Sequence, residues 1–143
     1  MNRSATVRVG DTLPPVRPAP ITRTTLALFA GASGDHNPIH IDIDAAHAAG
    51  MADVFGHGML TMAHAAQLLT GWIPQQYLRR FEVRFSAITP VHAEPLCTGR
   101  VTALDTVDGE QRATVELTVT LADGITTLAG QAVMALPDYD PSN

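Results

Sequence analysis

A segment in the middle of the sequence, if it forms a helix, is apolar on nearly every side. In "HGMLTMAHAAQLLTGW", only Thr61, His64 and Gln67 interrupt the apolar residues from 58 to 69. A helix of this composition has no face suited to water, so the rest of the protein must surround it. The sequence therefore predicts a buried helix over residues 58–69 and a fold that covers it.

The residues after this helix change from a helical period to a period of two. In "RRFEVRF" and "ATVELTVTL", apolar residues alternate with charged or hydroxyl-bearing ones, a pattern typical of strands with one buried face. The pairs Asp108-Gly109 and Asp123-Gly124 favour hairpin turns, so we expect mostly antiparallel strands. Four such strands, with an extra strand near the N-terminus, can curl around the buried helix. This arrangement is an α+β fold of the hot-dog type.

Two shorter helices are predicted on the N-terminal side. "TRTTLALFAGAS" predicts a helix over about residues 24–32, and "DIDAAHAAG" predicts one or two helical turns that end at Gly50. The proline-rich stretch "LPPVRPAP", within the first 20 residues, indicates an irregular segment or an edge strand. Since no repeat or linker divides the chain, we expect a single domain over residues 1–143.

The composition excludes several classes of protein. Of the 143 residues, 45% are hydrophobic and 16% are charged, which is enough apolar surface for a core. The absence of lysine excludes Schiff-base chemistry and a P-loop, and the net charge of −5 argues against nucleic-acid binding. No apolar run approaches the roughly 18 residues of a membrane span, and no secretory signal is recognisable. With Cys97 as the sole cysteine, we expect a cytoplasmic protein without an internal disulfide.

The stretch "SGDHNPIH", residues 33–40, concentrates the candidate functional residues. His36 and His40 have the spacing of two metal ligands on one face of a helix. However, Pro38 disfavours a helix at this point, and the glutamate of the zinc-protease motif is missing. We therefore expect this loop to bind no metal.

The same loop has the groups for acid–base chemistry. An aspartate that only caps a helix, such as Asp35 or Asp42, does not explain why a carboxylate, an amide and an imidazole crowd a rigid loop. Addition of water to an enoyl thioester needs a base for the water, an acid for the α-carbon and stabilisation of the thioester oxygen. Asp35 and His40 can share the proton transfers. The backbone N–H of Gly58, at the start of the buried helix, can stabilise the oxyanion.

These residues carry a resemblance to a known family. "SGDHNPIHID", followed about 17 residues later by "HGML", resembles the signature of the MaoC-like (R)-specific enoyl-CoA hydratases and (3R)-hydroxyacyl-ACP dehydratases. "ASGDHNPIH", "HGMLTM" and "VRFSAITPV" are especially similar to the dehydratase subunits of mycolic-acid synthesis, and the similarity runs over Val9–Leu136. The resemblance implies a hot-dog fold and a thioester substrate on a pantetheine arm. It also implies catalysis by Asp35 and His40, with Gly58 as oxyanion donor and Asn37 as the residue that holds the loop.

The roles of several residues around this predicted site stay open. Simple hydratases of the family place a serine on the buried helix, which holds none here, so Thr61 and His64 are the candidates to replace it. His57 joins Asn37 as a supporting residue, and we expect it to be structural rather than a proton carrier. Two roles stay open for Phe55, Met62 and Trp72: they can line an acyl tunnel, or they can be ordinary core residues.

The predicted substrate is an acyl-CoA or an acyl-ACP, with no cofactor, nucleic acid or membrane as partner. The open edges of a curled sheet favour a homodimer, or a heterodimer with a related hot-dog subunit. One alternative is a thioesterase of the same fold, but the predicted helix holds no Asp or Glu for hydrolysis. A second is the non-catalytic partner of a heterodimeric dehydratase, which would not need both Asp35 and His40.

Overall fold

The computed structural model describes residues 6–137; the first five and last six residues of the predicted domain lie outside this part. Its helices are α1 (Arg23–Ser33), α2 (Ile43–Ala48) and α3 (Gly58–Trp72), and its strands are β1 (Leu78–Phe85), β2 (Leu96–Val107), β3 (Glu110–Thr120) and β4 (Thr126–Ala135). Single turns of 3-10 helix occupy Pro38–His40 and Gln75–Tyr77. The α+β prediction is confirmed.

The four strands form one antiparallel sheet in the order β1-β4-β3-β2. Asp108 and Gly109, which join β2 to β3, have φ angles of 53° and 80°. Two consecutive positive φ angles are what a tight hairpin turn of this hand requires. Gly124, between β3 and β4, also has a positive φ, of 88°. Both predicted hairpin turns are therefore present.

The main core lies between α3 and one face of the sheet. Ala65, Leu68 and Leu69 of α3 pack with the inward-facing residues of β3 and β4. The helix approaches β2 so closely that a Cβ on Gly99 would lie 3.0 Å from Leu68 Cδ2. Cys97 is fully buried in β2, and burial raises the pKa of its thiol to about 11, which makes it a core residue and a poor nucleophile.

Helix α3 is longer and less enclosed than the sequence predicts. It continues to Trp72, three residues beyond the predicted end, and Pro74 follows it. Met59 is 56% exposed, and Gln67 is also exposed. A single four-stranded sheet covers only one side of a helix, so apolar residues on the other side stay open within the described chain.

The N-terminal segment corrects a second prediction. Instead of an extra strand, it forms two isolated antiparallel bridges to β2, Thr12 with Arg100 and Val16 with Cys97. Prolines lack the backbone N–H that a continuous ladder needs, and four of them lie between residues 14 and 20. The segment therefore covers the outer edge of β2 without becoming a strand.

A smaller second core holds α1 and α2 beside α3. Ile21, Leu26, Ala46, Val54 and Leu60 are its buried members. This packing fixes the two short helices, and hence the loop between them, against the N-terminal end of α3.

Candidate active site

The loop predicted to carry the chemistry is held by local hydrogen bonds. Helix α1 ends at Gly34, whose φ of 78° turns the chain away. Asp35 Oδ1 accepts a hydrogen bond from the N–H of Asn37 over 3.2 Å. Asn37 Oδ1 in turn accepts from the N–H of Ile39 over 3.3 Å and caps the turn Pro38–His40. Such side-chain-to-backbone bonds are how aspartate and asparagine stabilise turns.

His40 is fixed by the backbone of a second segment. Its Nδ1 lies 2.7 Å from the carbonyl oxygen of Phe55, and the residue is 8% exposed. Because a carbonyl only accepts, Nδ1 carries the hydrogen, and Nε2 of the neutral ring has a free lone pair. Phe55 is held by a bridge to Pro90, and Gly56 donates to the carbonyl of Thr89 over 2.7 Å. His40 therefore presents a proton acceptor at a fixed position.

Asp35, His40 and His57 come together although 22 residues separate the first from the last. One carboxylate oxygen of Asp35 and one ring nitrogen of each histidine all lie within 4.8 Å of one another. The rings of His40 and His57 are stacked, with centroids 3.9 Å apart and an interplanar angle of 28°. The lone pairs of an imidazole lie in its ring plane, so two stacked rings direct them side by side rather than toward one ion. The arrangement suits proton transfer better than a shared metal, and the other histidine considered as a ligand, His36, is exposed and outside the trio.

His57 is nearly fully buried, at 1% exposed. Its Nε2 lies 3.2 Å from the carbonyl oxygen of Asp35. Burial lowers the pKa of His57, and the bond to Asp35 only partly opposes this effect. His57 is therefore neutral at neutral pH, as expected for a supporting residue.

Gly58 is the first residue of α3, so its backbone N–H has no acceptor within the helix. A Cβ at this position would lie 3.3 Å from Cε1 of Phe85. The missing side chain therefore lets the Phe85 ring approach the end of the helix, and it leaves the N–H accessible.

A pocket of about 400 Å³ opens beside these groups. Its lining includes His40, Gly58, Thr61, Phe85, Thr89 and Thr127. The hydroxyls of Thr61 and Thr89 lie 3.2 Å apart, and both residues are 5% exposed. Of the residues considered for the missing serine and the acyl tunnel, Thr61 and Phe55 line this pocket, whereas His64, Met62 and Trp72 do not.

Sequence reasoning missed Phe85, Thr89 and Thr127 as parts of this pocket. Each belongs to a segment distant from the loop, and no short motif marks it. The period-two pattern of "RRFEVRF" even assigns Phe85 to the buried face of its strand, whereas the residue is 47% exposed.

The fold and the site define a hot-dog protein with a pocket lined by an imidazole and a helix N-terminus, and with a carboxylate close to that imidazole. A family model described as a MaoC-like domain matches residues 4–130. The chain therefore belongs to the MaoC-like dehydratase family.

Two relatives from Mycobacterium tuberculosis are named as dehydratases. The 3-hydroxyacyl-thioester dehydratase Z is 31% identical over 106 residues, which cover 69% of this chain and 70% of that protein. The 3-hydroxyacyl-thioester dehydratase X is 36% identical over 73 residues, or 51% of this chain. That match spans only 25% of the relative's length.

Solved structures share the fold. An (R)-hydratase from A. caviae involved in PHA biosynthesis superposes with a TM-score of 0.81 at 24% identity, covering 94% of this chain and 100% of that one. The ChsH1–ChsH2 complex of Mycobacterium tuberculosis matches with a TM-score of 0.80 at 21% identity, covering 92% and 99%. Among residues 6–137, no helix is both long and apolar enough to cross a membrane.

Proposed function

We propose that this protein is a hydro-lyase that interconverts trans-2-enoyl and (3R)-3-hydroxyacyl thioesters of CoA or acyl carrier protein. The observation that carries the proposal is the position of the Asp35 carboxylate and the His40 imidazole, within 4.8 Å of each other. His40 lines a pocket whose wall also contains Gly58. The names of the two relatives, 3-hydroxyacyl-thioester dehydratases, support the same substrate class.

In the hydration direction, Asp35 and His40 hold one water against the β-carbon. The Nε2 lone pair of His40 accepts a proton from this water as its oxygen bonds to the β-carbon. The protonated His40 passes this proton to the Asp35 carboxylate, which delivers it to the α-carbon, so both side chains return to their starting states and the net change is addition of H and OH across the double bond. Dehydration follows the same steps in reverse, with no cofactor.

Negative charge develops on the thioester oxygen during this addition. The Gly58 N–H lies at the N-terminus of α3, a helix of 15 residues, where the helix dipole favours a negative charge. We assign this N–H as the oxyanion donor. The bonds of the Asn37 N–H to Asp35 Oδ1 and of the Ile39 N–H to Asn37 Oδ1 support a role for Asn37 in holding Asp35 and the turn of His40 in place.

Two alternatives are less well supported. A thioesterase with its carboxylate on the central helix is disfavoured because α3, Gly58–Trp72, contains no Asp or Glu. A non-catalytic subunit of a heterodimeric dehydratase would not need a complete acid–base pair, and this chain has both Asp35 and His40. If the protein works with a related subunit, we expect this chain to be the catalytic one.

We propose a homodimer as the working assembly. Strand β1 lies at one edge of the sheet, and Met59 and Phe85 are 56% and 47% exposed near its end. A second copy placed against this edge would pair its open backbone groups and cover both side chains. A related hot-dog subunit is the alternative occupant, which the match to a chain of the ChsH1–ChsH2 complex supports. The cytoplasmic location stays a prediction from the sequence.

A direct assay tests the reaction. The purified protein is given crotonyl-CoA and a longer trans-2-enoyl-CoA, loss of the enoyl absorbance is followed, and the chirality of the 3-hydroxyacyl product is determined. We expect the (3R) product. Release of free CoA without hydration would support the thioesterase, and an (S) product or no turnover of any enoyl thioester, CoA- or ACP-linked, would contradict the proposal.

A further inference from the structure

His57 lies where the loop that carries the acid–base pair meets the start of α3. Its Nε2 is 3.2 Å from the carbonyl oxygen of Asp35, and its ring stacks on His40 with centroids 3.9 Å apart. Phe29 contacts His57 edge-on, at a centroid distance of 4.9 Å. We propose that His57 is a positioning residue that sets the distance between Asp35 and His40. This role rests on the proposed function.

The side chain of His57 does not make the capping hydrogen bond that is usual for a residue at a helix N-terminus. His57 is the N-cap of α3 but makes no capping bond to that helix. The corresponding residues of α1 and α2, Thr22 and Asp42, both accept a bond from their own helix. The imidazole reaches instead to a residue 22 positions earlier in the chain. A contact with Asp35 therefore replaces the local cap.

The contact with Asp35 has a cost in folding stability, which is seen at the second ring nitrogen of His57. Nδ1 is buried and has no hydrogen-bond partner among the described residues. Since the Asp35 carbonyl only accepts, Nε2 carries the hydrogen and Nδ1 has a lone pair without a donor. A buried polar atom without a partner is unfavourable for folding. An apolar residue would avoid this cost, so stability alone does not account for a histidine at this position.

The neutral state of His57 suits its position. The titratable groups that face it are Asp35 and His40. During hydration His40 gains a proton, and a second positive charge stacked on its ring would oppose that gain. Because burial keeps the pKa of His57 low, its ring can hold His40 in both protonation states without repelling it.

Two substitutions separate the two contacts. His57→Gln keeps a side-chain N–H for the Asp35 carbonyl but removes the ring that stacks on His40. His57→Phe keeps a ring of similar size but removes the N–H. His47→Gln is the matched control, because His47 Nε2 makes the same kind of bond to a backbone carbonyl, 3.0 Å to Ala52, but His47 is exposed and belongs neither to the trio nor to the pocket lining.

We expect both His57 variants to lower kcat by about tenfold or more, since small displacements of reacting groups are costly. KM should change by less than about twofold, and His47→Gln should leave both constants within about twofold. In the Asp35→Asn background, the same His57 changes should lower the residual kcat by less than about twofold, because residues that act together are not additive. A structural role would lower the activity equally in both backgrounds.

A spectroscopic measurement on the unmodified protein keeps the proposal testable if the variants fail to fold. Long-range ¹H–¹⁵N spectra should show His57 as the neutral Nε2–H tautomer, and it should stay neutral below the pH at which an ordinary histidine titrates. Full kcat in folded variants, equal losses in both backgrounds, or an Nδ1–H tautomer would overturn the role of His57. Wild-type protein that turns over no enoyl thioester would instead overturn the proposed function itself.

Discussion

At the scale of single residues, the site depends on side chains that backbone groups hold in place. Nδ1 of His40 is tied to the Phe55 carbonyl over 2.7 Å, and Asp35 Oδ1 bonds to the Asn37 N–H over 3.2 Å. The two groups proposed to react therefore need little reorganisation before reaction, which is a main source of enzymatic rate.

We expect Asp35→Asn and His40→Gln each to lower kcat by at least ~10², the usual scale for loss of a catalytic acid or base. His36→Gln is the control, because His36 lies between them in sequence but is exposed and outside the trio. Steady-state kinetics on variants with unchanged melting temperature measure the effect. Near-wild-type turnover by either folded variant would show that the pair is not the acid–base machinery.

The buried hydroxyl pair gives a prediction about stability. Thr61→Val leaves the Thr89 hydroxyl without its partner at 3.2 Å, which should lower the free energy of unfolding by about 1–3 kcal/mol. The double variant Thr61→Val, Thr89→Val removes both groups and should cost less than the sum of the two single changes. Urea denaturation of the four proteins measures this cycle, and strict additivity would mean that the two hydroxyls do not interact.

At the scale of elements, the backbone nitrogen of Gly58 at the N-terminus of α3 allows the proposed catalytic role to be tested separately from the folding of the helix. Gly58→Pro deletes the proposed oxyanion N–H, and proline is tolerated at the first position of a helix. His57, which precedes it, has φ −60° and ψ 135°, a conformation that suits the residue before proline. Gly58→Ala is the matched control, since its Cβ meets the Phe85 ring at 3.3 Å but its N–H remains.

We expect Gly58→Pro to lower kcat by about 10² to 10³ relative to Gly58→Ala, the usual effect of losing one oxyanion donor. Melting temperature and the affinity for a non-hydrolysable acyl analogue should be similar in the two variants. If the two variants have the same kcat, another group stabilises the oxyanion.

A charged cluster links β1 to β3 and makes the stability of the folded protein depend on pH. Glu110 contacts Arg79 and Arg112, which lower the pKa of its carboxyl group to about 2 from an ordinary value of 4.5. Since the pKa is lower in the folded state, the stabilisation is present above pH 4.5 and is lost as the pH falls toward 2. Glu110→Gln should reduce the fall in melting temperature over this interval, and added salt should reduce it in the wild type. The same fall in both proteins would contradict this.

Local sequence chemistry predicts much of the fold and little of the pocket. The Asp42 cap, the turn at Asp108-Gly109 and the start of α3 each depend on neighbouring residues, so short patterns identify them. The contact of His57 with Asp35 and the position of Thr89 against Thr61 depend on how distant segments pack. Periodicity shows which face of an element is buried but not which segment covers it. For that reason the exposed side of α3 was not predicted.

At the scale of the whole molecule, that exposed side and the β1 edge point to a partner. We expect a homodimer in light scattering at micromolar concentration. Met59→Glu should weaken it, because it places a charge on a side chain now 56% exposed next to the pocket. Val107→Glu is the control, because Val107 is 39% exposed at the opposite end of the sheet, on β2. A fully active monomer would contradict the proposed assembly.

The pocket draws its chemistry and its walls from different stretches of the chain, and this division affects how the protein can change. The proposed acid–base pair, its supports and the proposed oxyanion donor all lie between Asp35 and Gly58, whereas the lining residues Phe85, Thr89 and Thr127 come from the sheet and its connections. If the proposed function holds, mutation can therefore reshape this part of the wall, and with it the choice of acyl group, while the reaction stays the same. Directed evolution toward a new substrate should accumulate its changes at wall residues such as 85–89 and 127, and it should leave Asp35, His40, His57 and Gly58 unaltered.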